Sequence, residues 1–262
     1  MAVCELKFYS DALQKATAAT IILPEARHSG PFAVFYLLHG LSDDQTIWCR
    51  RTSIERYVEN VPLMVVMPDG GRGFYCDAVD GLAWESALIR DLISYIDSRF
   101  HTNAGRNGRC IGGLSMGGYG AVKLALKFPD LFCSASSHSG ALAWAHKPYH
   151  PDLEPRRRRE WERILGENPI GGSNDIFALA EKLPAAQRPA LRIDCGVDDF
   201  LIQDNRAFHA HLTTLGYDHQ YLEAPGEHNW AYWDLHVQEA ISFHLSHLRN
   251  LPGAGDCGSR QL

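Results

Sequence analysis

The sequence predicts an α/β fold in which a mostly parallel central sheet is flanked by helices. Three observations carry that expectation. Short apolar runs alternate along the chain with segments of helical periodicity, a glycine-rich serine motif stands where one such run gives way to a helix, and one long stretch rich in proline and charge, residues 141–184, interrupts the rhythm. Alternation of this kind packs helices on a parallel sheet and gathers ligands at the carboxyl ends of the strands. Reactive residues are therefore expected just after strands.

Taken in order, 6–9 and 20–23 read as N-terminal strands, followed by apolar strand-like runs at 32–38, 63–67, 109–114, 133–137, 191–195 and 220–223. Between them 54–59, 84–100, 116–128, 204–215 and 233–248 read as helices; Pro129 closes the third and Gly216 stops the fourth. The stretch 141–184 contains two tryptophans and reads as an insertion over the strand ends, with a displaced surface excursion as the alternative. A chain of 262 residues with 45% hydrophobic content is expected to form one domain over 1–250, leaving "LPGAGDCGSRQL", 251–262, as a disordered tail.

The net charge of −6 leaves no basic surplus for a nucleic-acid backbone. The one basic run, 156–159, is flanked by Glu154 and Glu160 and reads as a solvated face, with an anion site as the alternative. "MAVCELKFYSDALQKA" puts charges where a signal peptide needs its apolar region, and no apolar run approaches spanning length, so a soluble, cytoplasmic protein without a membrane partner is expected. Seven cysteines without CxxC or zinc-like spacing fit buried free thiols in a reducing compartment. His146 and His150, or His244 and His247, have spacings that suit a metal on a helix, but neither pair brings the carboxylate of an HExxH set. No metal and no cofactor are expected.

The chemistry centres on "RCIGGLSMGGYGAVKLALKFPD", where five glycines surround Ser115. Cys110 and Ile111 end a buried strand, and Ala121, Val122, Leu124, Ala125, Leu126 and Phe128 form a helical apolar stripe. Gly113-Leu114-Ser115-Met116-Gly117 is thus Gly-x-Ser-x-Gly at a strand-to-helix turn, where a nucleophilic serine is held exposed and side chains on either side would clash. A serine hydroxyl needs a base to take its proton and an acid to fix the tautomer of that base. Of the histidines after Ser115, His209, His211, His236, His244 and His247 fall on expected helices, whereas His228 lies in the loop "APGEHNW" after the last strand. The strand "LRIDCG" releases "VDDF", which offers Asp198 and Asp199 at the right edge; these residues alone leave the choice open. The order serine, aspartate, histidine is that of the α/β-hydrolases. An oxyanion hole needs two backbone N–H donors: Met116 supplies one, and in "FYLLHGLSDDQTIW" Gly40 lets the chain turn so that Leu41 N–H points inward, with His39 in a structural role.

The motifs "YLLHGLSDDQTIW", "RTSIERY", "VVMPDGGRGFYCD", "GLSMGGYGA", "SHSGAL", "CGVDDFLIQDN" and "PGEHNWAYWD" together resemble the esterase D branch of the α/β-hydrolases, from about residue 5 to about residue 245. That branch includes S-formylglutathione hydrolases, tributyrin-esterase-like carboxylesterases, feruloyl and acetyl-xylan esterases and mycolyltransferases. The resemblance implies an α/β-hydrolase fold. It implies Asp199 as the acid, through the pattern Gly-x-x-Asp, and His228 as the base, through Gly-x-His-x-Trp. It is nearest to the tributyrin-esterase-like members. "GLSMGGYG" departs from the Gly-His-Ser-Met-Gly-Gly-His of the S-formylglutathione hydrolases and points away from glutathione thioesters as the main substrate.

The expected activity is therefore hydrolysis of short-chain carboxylic esters, with a small-molecule ester as the partner. S-formylglutathione thioester hydrolysis and acyl transfer on the same three residues are the alternatives. A hydrolase fold used only for binding comes last, since all three reactive residues are present. Trp230 and Trp144 are expected to wall the pocket, with Trp161 of the insertion nearby, and for Trp144 and Trp161 filling the core or pinning the insertion down is the alternative; a homo-oligomer is left open.

Overall fold

The computed structural model describes residues 1–25, 28–148 and 154–249; His150 and the expected tail with Cys257 lie outside them. Eight strands form one sheet: β1 (Ala2–Ser10), β2 (Lys15–Leu23), β3 (Ala33–Leu38), β4 (Leu63–Pro68), β5 (Arg109–Leu114), β6 (Ser134–His138), β7 (Ala190–Gly196) and β8 (His219–Ala224). Their spatial order is β1-β2-β4-β3-β5-β6-β7-β8. The β1–β2 and β2–β4 pairs are antiparallel and all the others are parallel.

Strands β3, β4 and β5 are buried at every residue because helices cover both faces. Side chains alternate across a strand. In β3, Val34, Tyr36 and Leu38 enter a core shared with α4 (Ile93–Arg99), α5 (Met116–Lys127), α6 (Pro155–Leu165), α7 (Ile176–Lys182) and α8 (Ile202–Thr214), while the single turn α3 (Trp84–Ser86) joins Leu13 in a small separate cluster. Ala33, Phe35 and Leu37 enter the opposite core, with α1 (Ile47–Arg51), α2 (Ile54–Tyr57) and α9 (Trp230–His247). The neighbouring parallel strands β3, β5, β6, β7 and β8 bring their carboxyl ends to one edge of the sheet.

Several boundaries differ from expectation, each for a physical reason. β1 and β2 run longer than 6–9 and 20–23 because β1 lies at the sheet edge: Glu5, Lys7 and Tyr9 face solvent, so the strand alternates rather than running apolar. The helix expected at 84–100 contains a widened π-helical stretch, Ala87–Leu92. Its wider turn suits the five-residue step from Leu88 to Ile93, both of which are buried. Within that stretch Asp91 accepts hydrogen bonds from Ser10 Oγ at 2.6 Å and Ala12 N–H at 2.8 Å, fastening the β1–β2 hairpin. The helix α9 begins at Trp230 rather than Trp233, because the Asn229 side chain accepts Tyr232 N–H at 3.1 Å and caps it.

Candidate active site

Every residue from Gly108 to Leu126 is buried except Ser115, which is partly exposed. The turn between β5 and α5 produces that exception. Ser115 has φ 53° and ψ −115°, a strained left-handed conformation for a residue with a side chain. The turn is held from three directions: Ser115 N–H donates to His138 O at 2.9 Å, and Ser115 O accepts Tyr119 N–H and Ala141 N–H, both at 3.1 Å. Glycine is required on either side by close approach. A Cβ on Gly117 would stand 2.6 Å from the carbonyl oxygens of Leu38 and His39, and one on Gly113 would stand 2.7 Å from Leu38 O. The stripped side chains let α5 sit directly on β3 and β5.

His228 Nε2 lies 3.1 Å from Ser115 Oγ, and His228 Nδ1 lies 2.8 Å from Asp199 Oδ2. Asp199 is buried, whereas Asp198 is exposed. The other oxygen of Asp199 accepts Leu201 N–H at 2.8 Å. Burial by itself raises the Asp199 pKa, but hydrogen bonds from His228, Leu201 N–H and the Ser139 hydroxyl outweigh it and hold the carboxyl below its usual value. The loops carrying Asp199 and His228 are joined as well, since Asp198 N–H donates to Gly226 O at 3.0 Å. The imidazole is flanked by Phe200, at 4.5 Å between ring centroids, and Trp233, edge-on at 4.9 Å.

Ser139 was not singled out by sequence reasoning. It has φ 49°, and its Oγ accepts Trp233 Nε1–H at 3.2 Å while also serving Asp199. The signal was its place directly after β6, in "SHSGAL".

Leu41 and Met116 both line the cleft beside Ser115. Met116 is the first residue of α5, so its N–H has no intrahelical acceptor. The direction of Leu41 N–H is set by its neighbour: Gly40 O lies 2.7 Å from His39 Nδ1, and in a planar trans peptide the N–H points opposite to the carbonyl. Gly70 N–H donates to His39 Nε2 at 2.9 Å, so that nitrogen is unprotonated and Nδ1 carries the hydrogen given to Gly40 O. His39 is thus a buried positioning residue for the Gly40–Leu41 peptide.

The cleft holds about 690 Å³ and also meets Trp144, Trp161, Trp230 and Phe200. Trp144 stacks on Phe74 at 3.6 Å between centroids, and Trp161 Nε1–H donates to Trp144 O at 3.1 Å. Trp230 stands edge-on to Trp48 at 5.3 Å and to Trp233 at 5.1 Å. Part of 141–184 therefore borders the cleft. Its helix α6 is tied to the loop after β4: Arg72 grips Glu160 through two bonds of 2.6 and 2.8 Å, and Val79 and Asp80 N–H groups donate to Ile164 O at 3.2 Å and Arg163 O at 2.9 Å. Among the described residues no group of three His, Cys, Asp or Glu side chains could hold a metal ion, and no helix is long and apolar enough to cross a membrane. His244, one of the spaced pair, is instead enclosed by Ser134 Oγ and Ser136 Oγ at 2.8 and 2.9 Å, and burial pushes its pKa down.

A family model described as "Putative esterase" matches residues 10–243. The chain belongs to this esterase family. It is 30% identical to an acetyl esterase of Caldicellulosiruptor saccharolyticus, over 93% of this chain and 98% of that one. Its structure is similar to that of a fluorophosphonate-binding serine hydrolase of Staphylococcus aureus, with TM-score 0.83, 31% identity and coverage of 93% of this chain and 98% of that one. An S-formylglutathione hydrolase of the same organism gives TM-score 0.81, 31% identity and the same coverage. This esterase is a serine-type carboxylic ester hydrolase with the α/β-hydrolase fold, of the esterase D-like group, and acts on small-molecule esters.

Proposed function

We propose that the esterase hydrolyses short-acyl carboxylic esters through an acyl-enzyme on Ser115. The observation that carries this reading is the unbroken line from Asp199 Oδ2 through both nitrogens of His228 to Ser115 Oγ, with steps of 2.8 and 3.1 Å, opening on the cleft. Ser115 Oγ attacks the ester carbonyl and passes its proton to His228 Nε2, while Asp199 steadies the imidazolium that forms. The carbonyl oxygen becomes an oxyanion and takes the Leu41 and Met116 N–H groups. As the C–O bond breaks, His228 returns the proton to the departing alkoxide. Water then attacks the acyl-enzyme, again giving its proton to His228, and Ser115 leaves with that proton.

The short-acyl preference draws on the ring walls formed by Trp144 stacked on Phe74 and by Trp230 braced by Trp48 and Trp233, within a cleft that must hold both halves of the ester. The likeness to an acetyl esterase points the same way. Thioester hydrolysis by the same three residues is the second reading, favoured by the likeness to an S-formylglutathione hydrolase. A fluorophosphonate should label the parent protein on Ser115. In Ser115→Ala labelling should vanish and turnover of p-nitrophenyl butyrate should fall by at least about 10⁴-fold with the fold intact. A labelled Ser115→Ala protein, or one with substantial turnover, refutes the assignment.

A further inference from the structure

The basic run on α6 does not face open solvent alone. Arg156, Arg159 and Arg163 recur at the spacing that shares one helix face, and with Arg72 they line a second groove of about 650 Å³ against the loop after β4. Arg72 and Glu160 line both this groove and the cleft that holds Ser115, so the two spaces meet across their ion pair.

The groove has a charge surplus. Four arginines face two carboxylates, Glu160 paired with Arg72 and Asp80 paired with Arg163 at 2.9 Å. Among the described residues neither Arg156 nor Arg159 forms an ion pair with a carboxylate, and neither does Arg157, which borders the catalytic cleft; Arg156 and Arg157 act on Glu160 only at longer range, and that carboxylate is already gripped by Arg72. On a chain of net charge −6 this is a local reversal of sign beside the reaction centre, the arrangement that concentrates anions. Arg72 also keeps donor capacity: a guanidinium carries five N–H donors, and Glu160 occupies two of them. Trp84 and Ile164 give the groove apolar surface for the stem of a ligand.

We propose that this groove is a subsite for a carboxylate carried by the ester substrate, remote from the scissile bond, whose reacting end lies at Ser115. The inference rests on the ester-hydrolase reading and names its substrate class: acidic esters. Planar arginine forks match a carboxylate through paired hydrogen bonds, and the fixed Arg72–Glu160 pair marks the border over which such a substrate extends.

Two matched pairs of esters test it. One carries the acid on the acyl side, p-nitrophenyl hemiglutarate against p-nitrophenyl valerate. The other carries it on the alcohol side, m-carboxyphenyl butyrate against phenyl butyrate. At low ionic strength one acidic ester should exceed its neutral counterpart in kcat/KM by about three- to tenfold, the range for two solvent-facing ion pairs. Which pair responds tells which half of the substrate enters the groove. The preference should shrink toward parity as salt is raised and in the double variant Arg156→Ala/Arg159→Ala. Acidic esters no better than their neutral counterparts, or a preference that survives the double substitution, overturn the subsite. Failure of the parent protein to turn over even the neutral esters overturns the hydrolase reading itself, a distinct result.

Discussion

Replacing Asp199 by asparagine keeps the shape of the side chain and removes one acceptor. Both carboxylate oxygens are engaged, one by Leu201 N–H at 2.8 Å and one by His228 Nδ1 at 2.8 Å. The amide can satisfy only one of these as an acceptor. If its NH2 faced Leu201 N–H, two buried donors would oppose each other, at a cost of about 1–3 kcal/mol. If it faces His228 instead, the neutral imidazole exchanges tautomers at little cost, and the hydrogen moves to Nε2. That second arrangement wins, and it leaves Nε2 unable to accept the Ser115 proton across 3.1 Å. The loss in kcat should be about 10⁴-fold, equivalent to about 5 kcal/mol of barrier. Asp198→Asn, at an exposed position, should stay within about twofold of the parent. Turnover of p-nitrophenyl butyrate at neutral pH, beside thermal melts of each variant, measures both. A folded Asp199→Asn protein with a tenth or more of parental kcat, or a larger loss in Asp198→Asn, refutes the reasoning.

Gly117→Ala should lower stability by about 1–3 kcal/mol or more, because its Cβ meets two backbone oxygens at 2.6 Å that cannot move aside; an unchanged melting temperature counts against it. Asp91 is buried enough for desolvation to raise its pKa, yet Ser10, Ala12 N–H and Arg90 hold it below the usual value. A depressed carboxyl contributes stability above its unfolded pKa of about 3.9, and that contribution is lost as pH falls through the folded value. Asp91→Asn should therefore be less stable than the parent at neutral pH by about 1–2 kcal/mol, with the gap closing below about pH 4; a gap independent of pH refutes the assignment. Across esters from acetate to palmitate, kcat/KM should peak between acetyl and butyryl without a rise at an oil–water interface, and efficiency still climbing beyond octanoate rejects the walled pocket.

The meeting of Ser115 and His228 was legible because its signals are local: a serine between glycines at a change of periodicity, and a histidine in a glycine-containing loop after the last strand. Asp199 was half legible. Sequence placed two adjacent aspartates at the strand end, but burial separates them only when the loop closes on Gly226. Long-range partners were out of reach. Arg72 and Glu160 are 88 residues apart, and nothing in "EPRRRREWER" says which arginines look toward a groove. Lys123 is the sharpest case: in sequence it is a cation inside an apolar helix, while in the fold it is fully buried, 2.8 Å from Glu85 Oε2 and bonded to Tyr75 O. The short helix α1 went unread because five residues give too little periodicity to detect.

The backbone bonds from Val79 and Asp80 to the last carbonyls of α6 bear on how substrate arrives. Swinging that helix outward would strand Ile164 O and Arg163 O and break the Arg72–Glu160 fork at once. A wall secured in this way does not act as a moving door. Encounter should then be a single bimolecular step, with burst traces at rising ester concentration giving a straight line for the capture phase and no slow conformational plateau. Selection among esters is made by the standing contour of the cleft at the moment of collision.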